Sequence, residues 1–148
     1  MKIIDLENQT SLSVNLDMLE KIALTLTHRE LELIITDNQA IAKINNEYRG
    51  KDKATDVLSF PMETLFNGKD LSHIPLGSII ISADYVSLKS KELGHTRQDE
   101  LALLFIHGIL HLLGFDHEID QGEMRVKEKA LIEAFGLPSS LIIRTGEC

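Results

Sequence analysis

The most constraining feature of this sequence is an uncharged stretch at residues 101–115, in which every residue is apolar, glycine or histidine. It is too short for a transmembrane helix, which needs about 20 apolar residues. Thr96 and Asp99 form a near-complete capping box ahead of the stretch, and Gly114 is a typical helix end. The pattern predicts a helix over residues 96–113, and a helix that is apolar all round lies buried in the core.

Three histidines share this segment: His107 and His111 on the predicted helix, and His117 just beyond it. Residues four positions apart lie on one helix face, so the first two imidazoles can reach the same ion. A left-handed turn at Gly114 can bring His117 to that point from another direction. The alternative is that these are ordinary core or surface histidines, but two imidazoles side by side in so apolar a segment would lack partners.

The spacing therefore predicts a site for one divalent metal ion per chain. Three neutral imidazoles with an open fourth position are typical of catalytic zinc, whereas structural sites usually close with four ligands. A water molecule at such a site becomes a nucleophile near neutral pH. Imidazole-rich sites also accept other divalent metals. We therefore interpret the chain as a zinc-dependent hydrolase.

The same HxxxHxxGxxH spacing occurs in the metzincin proteases, where the second position is the glutamate that serves as general base. In this chain that position is Gly108. Gly108 has a structural explanation, namely the close approach of a neighbouring backbone. A metal-dependent protease or other hydrolase remains an alternative, although the glutamate that this mechanism needs is missing.

Hydrophobic periodicity over the rest of the chain predicts a mixture of strands and helices. A small mixed β-sheet with packed α-helices, one of them the central buried helix that carries the histidines, makes this an α+β fold. The second helix is expected to turn Tyr48 towards the core. The predicted strands are residues 1–6, 30–36, 57–60 and 78–82, the predicted helices are 15–27, 37–48, 83–93, 96–113 and 121–135, and residues 62–76 are expected to be an irregular loop.

Composition is that of an ordinary globular protein, with 43% hydrophobic and 26% charged residues. A length of 148 residues favours a single domain over residues 1–148. The N-terminus turns polar too early for a signal peptide, and the one cysteine, Cys148, cannot form an internal disulfide. Both observations predict a cytoplasmic protein that does not enter a membrane. The net charge of −8 argues against non-specific coating of nucleic acid but allows a local basic site.

A basic loop follows the second predicted helix and contains Arg49, Lys51 and Lys53. An arginine fork suits a phosphate group bidentately, so this loop could hold a phosphodiester. The alternative is a solvated charged turn, because Asp52 and Asp56 dilute the patch. The residue types alone favour that second interpretation.

Two segments together resemble a known family: HGILHLLGFDH at residues 107–117 and YRGKDKATDVLSFP at residues 48–61. They are similar to the YbeY family of bacterial rRNA-maturation endoribonucleases, and the order of elements agrees along nearly the whole chain. The resemblance implies a zinc-dependent, single-strand-specific endoribonuclease of ribosomal RNA processing and ribosome quality control. It implies the metal ligands His107, His111 and His117, and a functional role for Arg49.

The resemblance also implies single-stranded RNA, in particular ribosomal RNA, as substrate, with a ribosomal subunit or assembly proteins as expected partners. Lys51 and Lys53 become candidate substrate-binding residues. Two positions depart from the family pattern: Ala54, where the family usually has proline, and Ser78, where an LGD triplet usually ends in aspartate. Ala54 is expected to change only loop stiffness, whereas Ser78 leaves any role of that acidic position in doubt.

The remaining polar residues have both a structural and a functional interpretation. Asp56 and Ser59 lie in the shared motif and either support the site or hold the fold together. The acidic residues nearest His117 either cap the next helix or orient a ligand imidazole; they are Asp116, Glu118, Asp120 and Glu123. Met124 is expected to pack in the core. Glu128 is expected on a solvated face with Arg125, Lys127 and Lys129, and His28, His73 and His95 on the surface.

The sequence thus leads to one preferred function and two alternatives. The preferred function is hydrolysis of a phosphodiester by a metal-activated water, with Arg49 stabilising the phosphate. Besides the protease, the second alternative is a non-catalytic ribosome-assembly factor in which the zinc is structural.

Overall fold

The computed structural model describes residues 2–62, 65–66, 69–70, 74–116 and 121–138. Within these residues the chain forms six strands and five helices, which confirms the predicted α+β class. In chain order they are β1 (Ile4–Asn8), α1 (Leu16–Leu24), β2 (Leu31–Thr36), α2 (Asn38–Arg49), β3 (Val57–Pro61), β4 (Leu65–Phe66), β5 (Lys69–Asp70), β6 (Gly77–Ser82), α3 (Ala83–Leu93), α4 (Arg97–Leu112) and α5 (Glu123–Ala134).

The main sheet of the described residues has the strand order β1-β2-β6-β3. Strands β1, β2 and β6 are parallel, and β3 runs antiparallel to β6 at the edge, so the sheet is mixed as predicted. The expectation of an irregular loop over residues 62–76 is wrong in part, because β4 and β5 pair as a short antiparallel ladder. Two-residue strands are too short for a pattern of alternation to show them.

Helix α4 lies in the centre of the core, and 12 of its 16 residues are buried. It packs on the sheet face formed by Ile79 and Ile81, which are both fully buried. Gly108 permits this approach, since a Cβ atom there would lie 2.8 Å from Cγ2 of Ile79. The expected neighbour of Gly108 was backbone, and the structure shows a side chain instead.

The ends of α4 follow from the sequence. The Thr96 side chain accepts a hydrogen bond from the Asp99 amide at 3.1 Å, and the Asp99 carboxylate accepts one from the Thr96 amide at 3.3 Å. This complete capping box satisfies donors that the first turn would otherwise leave open. Gly114 has a φ of 100°, as the predicted left-handed turn requires. No helix among the described residues is long and apolar enough to span a membrane.

Three expectations about burial are wrong. Tyr48 is 66% exposed and does not face the core. The His95 side chain is only 1% exposed and lies against Glu100, so it is no surface residue. Glu128 is 1% exposed and shares the inner face of α5 with Met124, which does pack in the core. His28 is exposed, as expected, and His73 lies outside the described residues.

Candidate metal centre

His107 and His111 stand on successive turns of α4 and face each other. Their Nε2 atoms are 3.1 Å apart, and the ring centroids lie 4.7 Å apart at an interplanar angle of 73°. The i, i+4 spacing on a regular helix produces this arrangement. His107 is 9% exposed, and the helix around it is apolar, so the pair sits where the core meets a cleft.

The separation of the two rings fits a shared metal ion. Two Zn–N bonds of about 2.0–2.1 Å at a tetrahedral angle place their nitrogen atoms about 3.3 Å apart. The observed 3.1 Å between the Nε2 atoms is close to that value. The two imidazoles therefore suit zinc with only a small adjustment of side-chain angles.

Glu128 of α5 lies beside Nδ1 of His107, the ring nitrogen that does not face His111. Its Oε2 atom lies 3.5 Å from Nδ1 of His107, and both side chains are nearly buried, at 2% and 11% exposure. Histidines that bind a metal usually hold the other ring nitrogen against a carboxylate or carbonyl, which fixes the orientation of the ring. Glu128 is placed for this role, which the sequence assigned instead to an acidic residue near His117. Of those four candidates, Asp116 lines the cleft, Glu123 begins α5, and Glu118 and Asp120 lie outside the described residues.

The third predicted ligand, His117, also lies outside the described residues. In the described part of the chain, no group of three or more histidine, cysteine or carboxylate side chains could hold a metal. The described part of the candidate centre thus consists of the two imidazoles, with Glu128 beside Nδ1 of His107.

A cleft of about 650 Å³ opens beside the two histidines. It runs along β3, the edge strand of the main sheet, because consecutive residues from Thr55 to Pro61 line it. Arg49 lines it from the end of α2, while Gly114, Phe115 and Asp116 line it after α4. The structure thus brings Arg49 to the same cleft as the histidine pair. Lys51 and Lys53 are exposed and are not among the described lining residues.

Asn45 holds the loop after Arg49 in place, a role that was not predicted from the sequence. Asn45 is 1% exposed, and its side-chain amide donates a 2.9 Å hydrogen bond to the Lys53 carbonyl. Gly50, with a φ of 68°, ends the helix and lets the chain turn back. A buried polar residue one turn after Ile41, on the inner face of an amphipathic helix, is the signal that could have revealed it.

Ser59 and Asp56, whose roles the sequence left open, both line the cleft and both hold structure. The Ser59 hydroxyl donates to the Gly108 carbonyl at 3.2 Å, which links β3 to α4 beside His107. The Asp56 carboxylate accepts from the Val57 amide at 2.8 Å. Asp56 and Asp116 are the carboxylates among the described lining residues.

The two departures from the family pattern lie away from the histidines. Ala54 packs against the small cluster of Ile41, Leu58 and Ile80. The Ser78 hydroxyl donates to Glu32 at 3.0 Å on the neighbouring strand. Side chains alternate along a strand, so Ser78 faces away from α4, on which Ile79 packs.

Fold and cleft together define a class: mixed α/β proteins with two facing imidazoles and an arginine at one cleft. A family model described as Endoribonuclease YbeY matches residues 3–136. The Endoribonuclease YbeY of Sulfurovum sp. (strain NBC37-1) is 64% identical over 142 residues, covering 96% of this chain and 97% of that protein. The Endoribonuclease YbeY of Wolinella succinogenes is 56% identical over 145 residues, covering 98% and 99%.

The fold is also found in a solved structure. The solution structure of TM1509 from Thermotoga maritima matches with a TM-score of 0.59 and 26% identity, covering 89% of this chain and 88% of that one. The chain belongs to the Endoribonuclease YbeY family. The predicted family is therefore confirmed, and with it the prediction of a hydrolytic enzyme of the nuclease class.

Proposed function

We propose that this chain is a zinc-dependent endoribonuclease that cuts single-stranded RNA during ribosomal RNA maturation and ribosome quality control in the cytoplasm. The observation that supports it most directly is the pair of Nε2 atoms of His107 and His111, 3.1 Å apart, in a cleft that Arg49 also lines. A ribosomal subunit or assembly proteins would be its partners, since the net charge of −8 limits affinity for naked RNA.

His107, His111 and His117 would hold the zinc ion. When bound, zinc would supply Lewis-acid chemistry for the attack of water on the phosphodiester. Glu128 would keep His107 in one ring orientation through Nδ1, leaving Nε2 directed at the cleft. Because both side chains are nearly buried, little motion of the imidazole is expected.

Arg49 would hold the phosphate. Its side chain is exposed at the end of α2, and among the described residues no ion pair engages it. A guanidinium offers two parallel donors to one phosphate and stabilises negative charge that grows in the transition state. Asn45 would position it indirectly, by holding the loop that follows it. Lys51 and Lys53, which are exposed in the loop after Arg49, would contribute charge to RNA binding at longer range.

The space around Gly108 disfavours a protease of the metzincin type. A Cβ atom at that position would meet Ile79 at 2.8 Å and so face the sheet, not the cleft. The general base of that mechanism thus has no room at the usual position. Among the described lining residues, Asp56 and Asp116 are the carboxylates that could accept a proton from water instead.

The test is RNA cleavage by metal-analysed wild-type protein beside His111→Ala and a matched control, His28→Ala, all purified identically. His28 is exposed and does not line the cleft. Wild type and the control should carry about one zinc ion and cut single-stranded RNA but not casein. His111→Ala should neither carry zinc nor cut RNA. Equal cleavage by all three proteins would identify a contaminating nuclease. Zinc without cleavage would favour the non-catalytic assembly factor.

Arg49→Glu tests the phosphate-binding role separately. It should abolish cleavage while zinc content stays at the wild-type level, because Arg49 is not one of the proposed zinc ligands. Arg49→Lys should be intermediate, since it keeps the charge but loses the two parallel donors. Normal cleavage by Arg49→Glu would show that the assignment of Arg49 is wrong.

A further inference from the structure

Tyr48 is an aromatic side chain that the fold leaves in solvent. It belongs to the last turn of α2, directly before Arg49, and is 66% exposed. The other exposed large hydrophobic residues of the described chain are Met62, Leu88 and Val126, none of which is aromatic. Core packing does not explain Tyr48, because the buried face of α2 is formed by Ile41 and Asn45.

Phe60 is the aromatic side chain in contact with Tyr48. Their ring centroids lie 5.3 Å apart at an angle of 61°, an edge-to-face pair. Phe60 in turn packs against the buried cluster of Ile41, Leu58 and Ile80, so the base of the pair is rigid. Phe60 also lines the cleft, which makes the aromatic pair continuous with it.

The aromatic pair and the histidines lie on opposite sides of β3. Phe60 shares a strand face with Leu58, towards α2, whereas Ser59 points the other way and bonds to Gly108 of α4. Since β3 is an edge strand of the sheet, an extended chain can pass over its free side. Such a chain would meet Arg49 at the edge and Tyr48 just beyond it.

We propose that Tyr48, backed by Phe60, is a stacking platform for an unpaired nucleobase next to the phosphate held by Arg49. The proposal rests on the proposed ribonuclease function and names the nucleotide that flanks the site of cleavage. Neighbouring helix residues diverge by about 100°, so Tyr48 and Arg49 would straddle one nucleotide and contact its base and its phosphate.

Stacking gives a physical reason for a preference for single strands. A single-stranded base offers its ring face to an aromatic side chain, whereas bases in an A-form duplex are already stacked and show only their edges. Stacking is also less sensitive to salt than phosphate contacts are. In a chain with a net charge of −8, a platform of this kind would carry much of the RNA affinity.

The first experiment is steady-state cleavage of a single-stranded RNA by zinc-loaded wild type, Tyr48→Ala, Tyr48→Leu and Tyr48→Phe. Loss of the ring should raise KM about 5- to 150-fold, the range for one stacked base. The value of kcat should stay within about threefold, because the platform lies across β3 from the histidines. Tyr48→Phe should match wild type, and so should Leu88→Ala, a control for an exposed apolar residue on α3.

A binding measurement separates this proposal from the proposed function. The chain has no tryptophan and two tyrosines, so in Tyr85→Phe the tyrosine fluorescence comes from Tyr48 alone. Single-stranded RNA should quench this signal, and a duplex of the same length should not. Tyr48→Phe, in which Tyr85 is the emitter, corrects for absorption by the RNA.

The outcomes are distinct. Unchanged KM for Tyr48→Ala with active wild type, or no selective quenching, would overturn the platform and leave the ribonuclease standing. Selective quenching in a protein that cuts no RNA would support the platform and overturn the nuclease. Circular dichroism melting of each variant guards against misfolding, and Tyr48→Leu keeps an apolar contact with Phe60 should the alanine variant be unstable.

Discussion

Helix α4 has a histidine–carboxylate pair at each end, and the two pairs differ in one respect that matters for function. At its N-terminal end His95 lies 2.8 Å from Glu100, with side chains 1% and 0% exposed. Near its C-terminal end His107 lies 3.5 Å from Glu128, at 11% and 2%. We refer to them as the closed pair and the cleft pair. Burial against a carboxylate is common to both.

The second imidazole distinguishes them. In the cleft pair the carboxylate lies near Nδ1, while Nε2 of His107 faces His111. In the closed pair the carboxylate holds Nε2 of His95 itself. A buried histidine with a carboxylate neighbour is therefore no sign of a metal site. A second ring nitrogen at ligand spacing, in an open cleft, is the informative feature.

The largest expected effect is loss of zinc affinity when the cleft pair is broken. Structural zinc binds with an apparent free energy of about 10–16 kcal/mol, so loss of one of the three proposed protein ligands costs on the order of 10²- to 10⁴-fold in affinity. His107→Ala should show this loss in calorimetric titration of the metal-free protein with zinc, whereas His95→Ala should bind zinc as wild type does. Equal affinities for wild type and His107→Ala would remove the distinction between the pairs.

Breaking the closed pair should instead cost stability. His95→Ala leaves the Glu100 carboxylate buried without this imidazole, a penalty of about 2–3 kcal/mol in the free energy of unfolding. Urea denaturation of the metal-free protein measures it. Added zinc should still stabilise His95→Ala, since a ligand bound only by the folded state raises stability by mass action. A wild-type denaturation midpoint would mean that the closed pair contributes nothing to stability.

Much of the fold could be predicted from local sequence pattern alone, and so could His107, the histidine of the cleft pair. Helix α4 was expected over residues 96–113 and spans Arg97–Leu112, because capping and glycine signals are encoded in neighbouring residues. His107 and His111 face each other because helix geometry requires it. These features need no knowledge of tertiary structure.

The support of the site could not be predicted, because its contacts come from distant parts of the chain. Glu128 lies on a different helix from His107. Because charged residues surround it in the sequence, it was predicted to lie on a solvent-exposed face of α5. The buried residues of α5 recur at helical spacing, and this spacing could have predicted that Glu128 faces the core. They are Met124, Glu128, Leu131 and Ile132. Tyr48 was misplaced for the opposite reason, since an aromatic residue at the end of an amphipathic helix usually packs inward.

A smaller effect is expected when only the charge of the cleft pair is removed. Glu128→Gln keeps the shape and an acceptor for His107, so zinc affinity should fall only about tenfold, the low end for residues behind a ligand. The metal-free protein should be as stable as wild type or more so, because glutamine places no charge in that buried position. Zinc titration and urea denaturation test the two halves. A stability loss with unchanged zinc affinity would make Glu128 a structural residue like Glu100.

The smallest effect is expected at Ser78, which tests whether a side chain on the far face of the sheet influences the cleft pair. Ser78→Asp introduces the acidic residue that the family resemblance leads us to expect there, but places it beside Glu32, which accepts the hydrogen bond of the Ser78 hydroxyl. Like charges on neighbouring strands destabilise by up to about 1 kcal/mol. Since Ser78 faces away from α4, cleavage and zinc affinity should not change, and the denaturation midpoint should fall slightly. A gain in zinc affinity or in cleavage would mean that this carboxylate reaches the histidines, and would place part of the metal centre on β6.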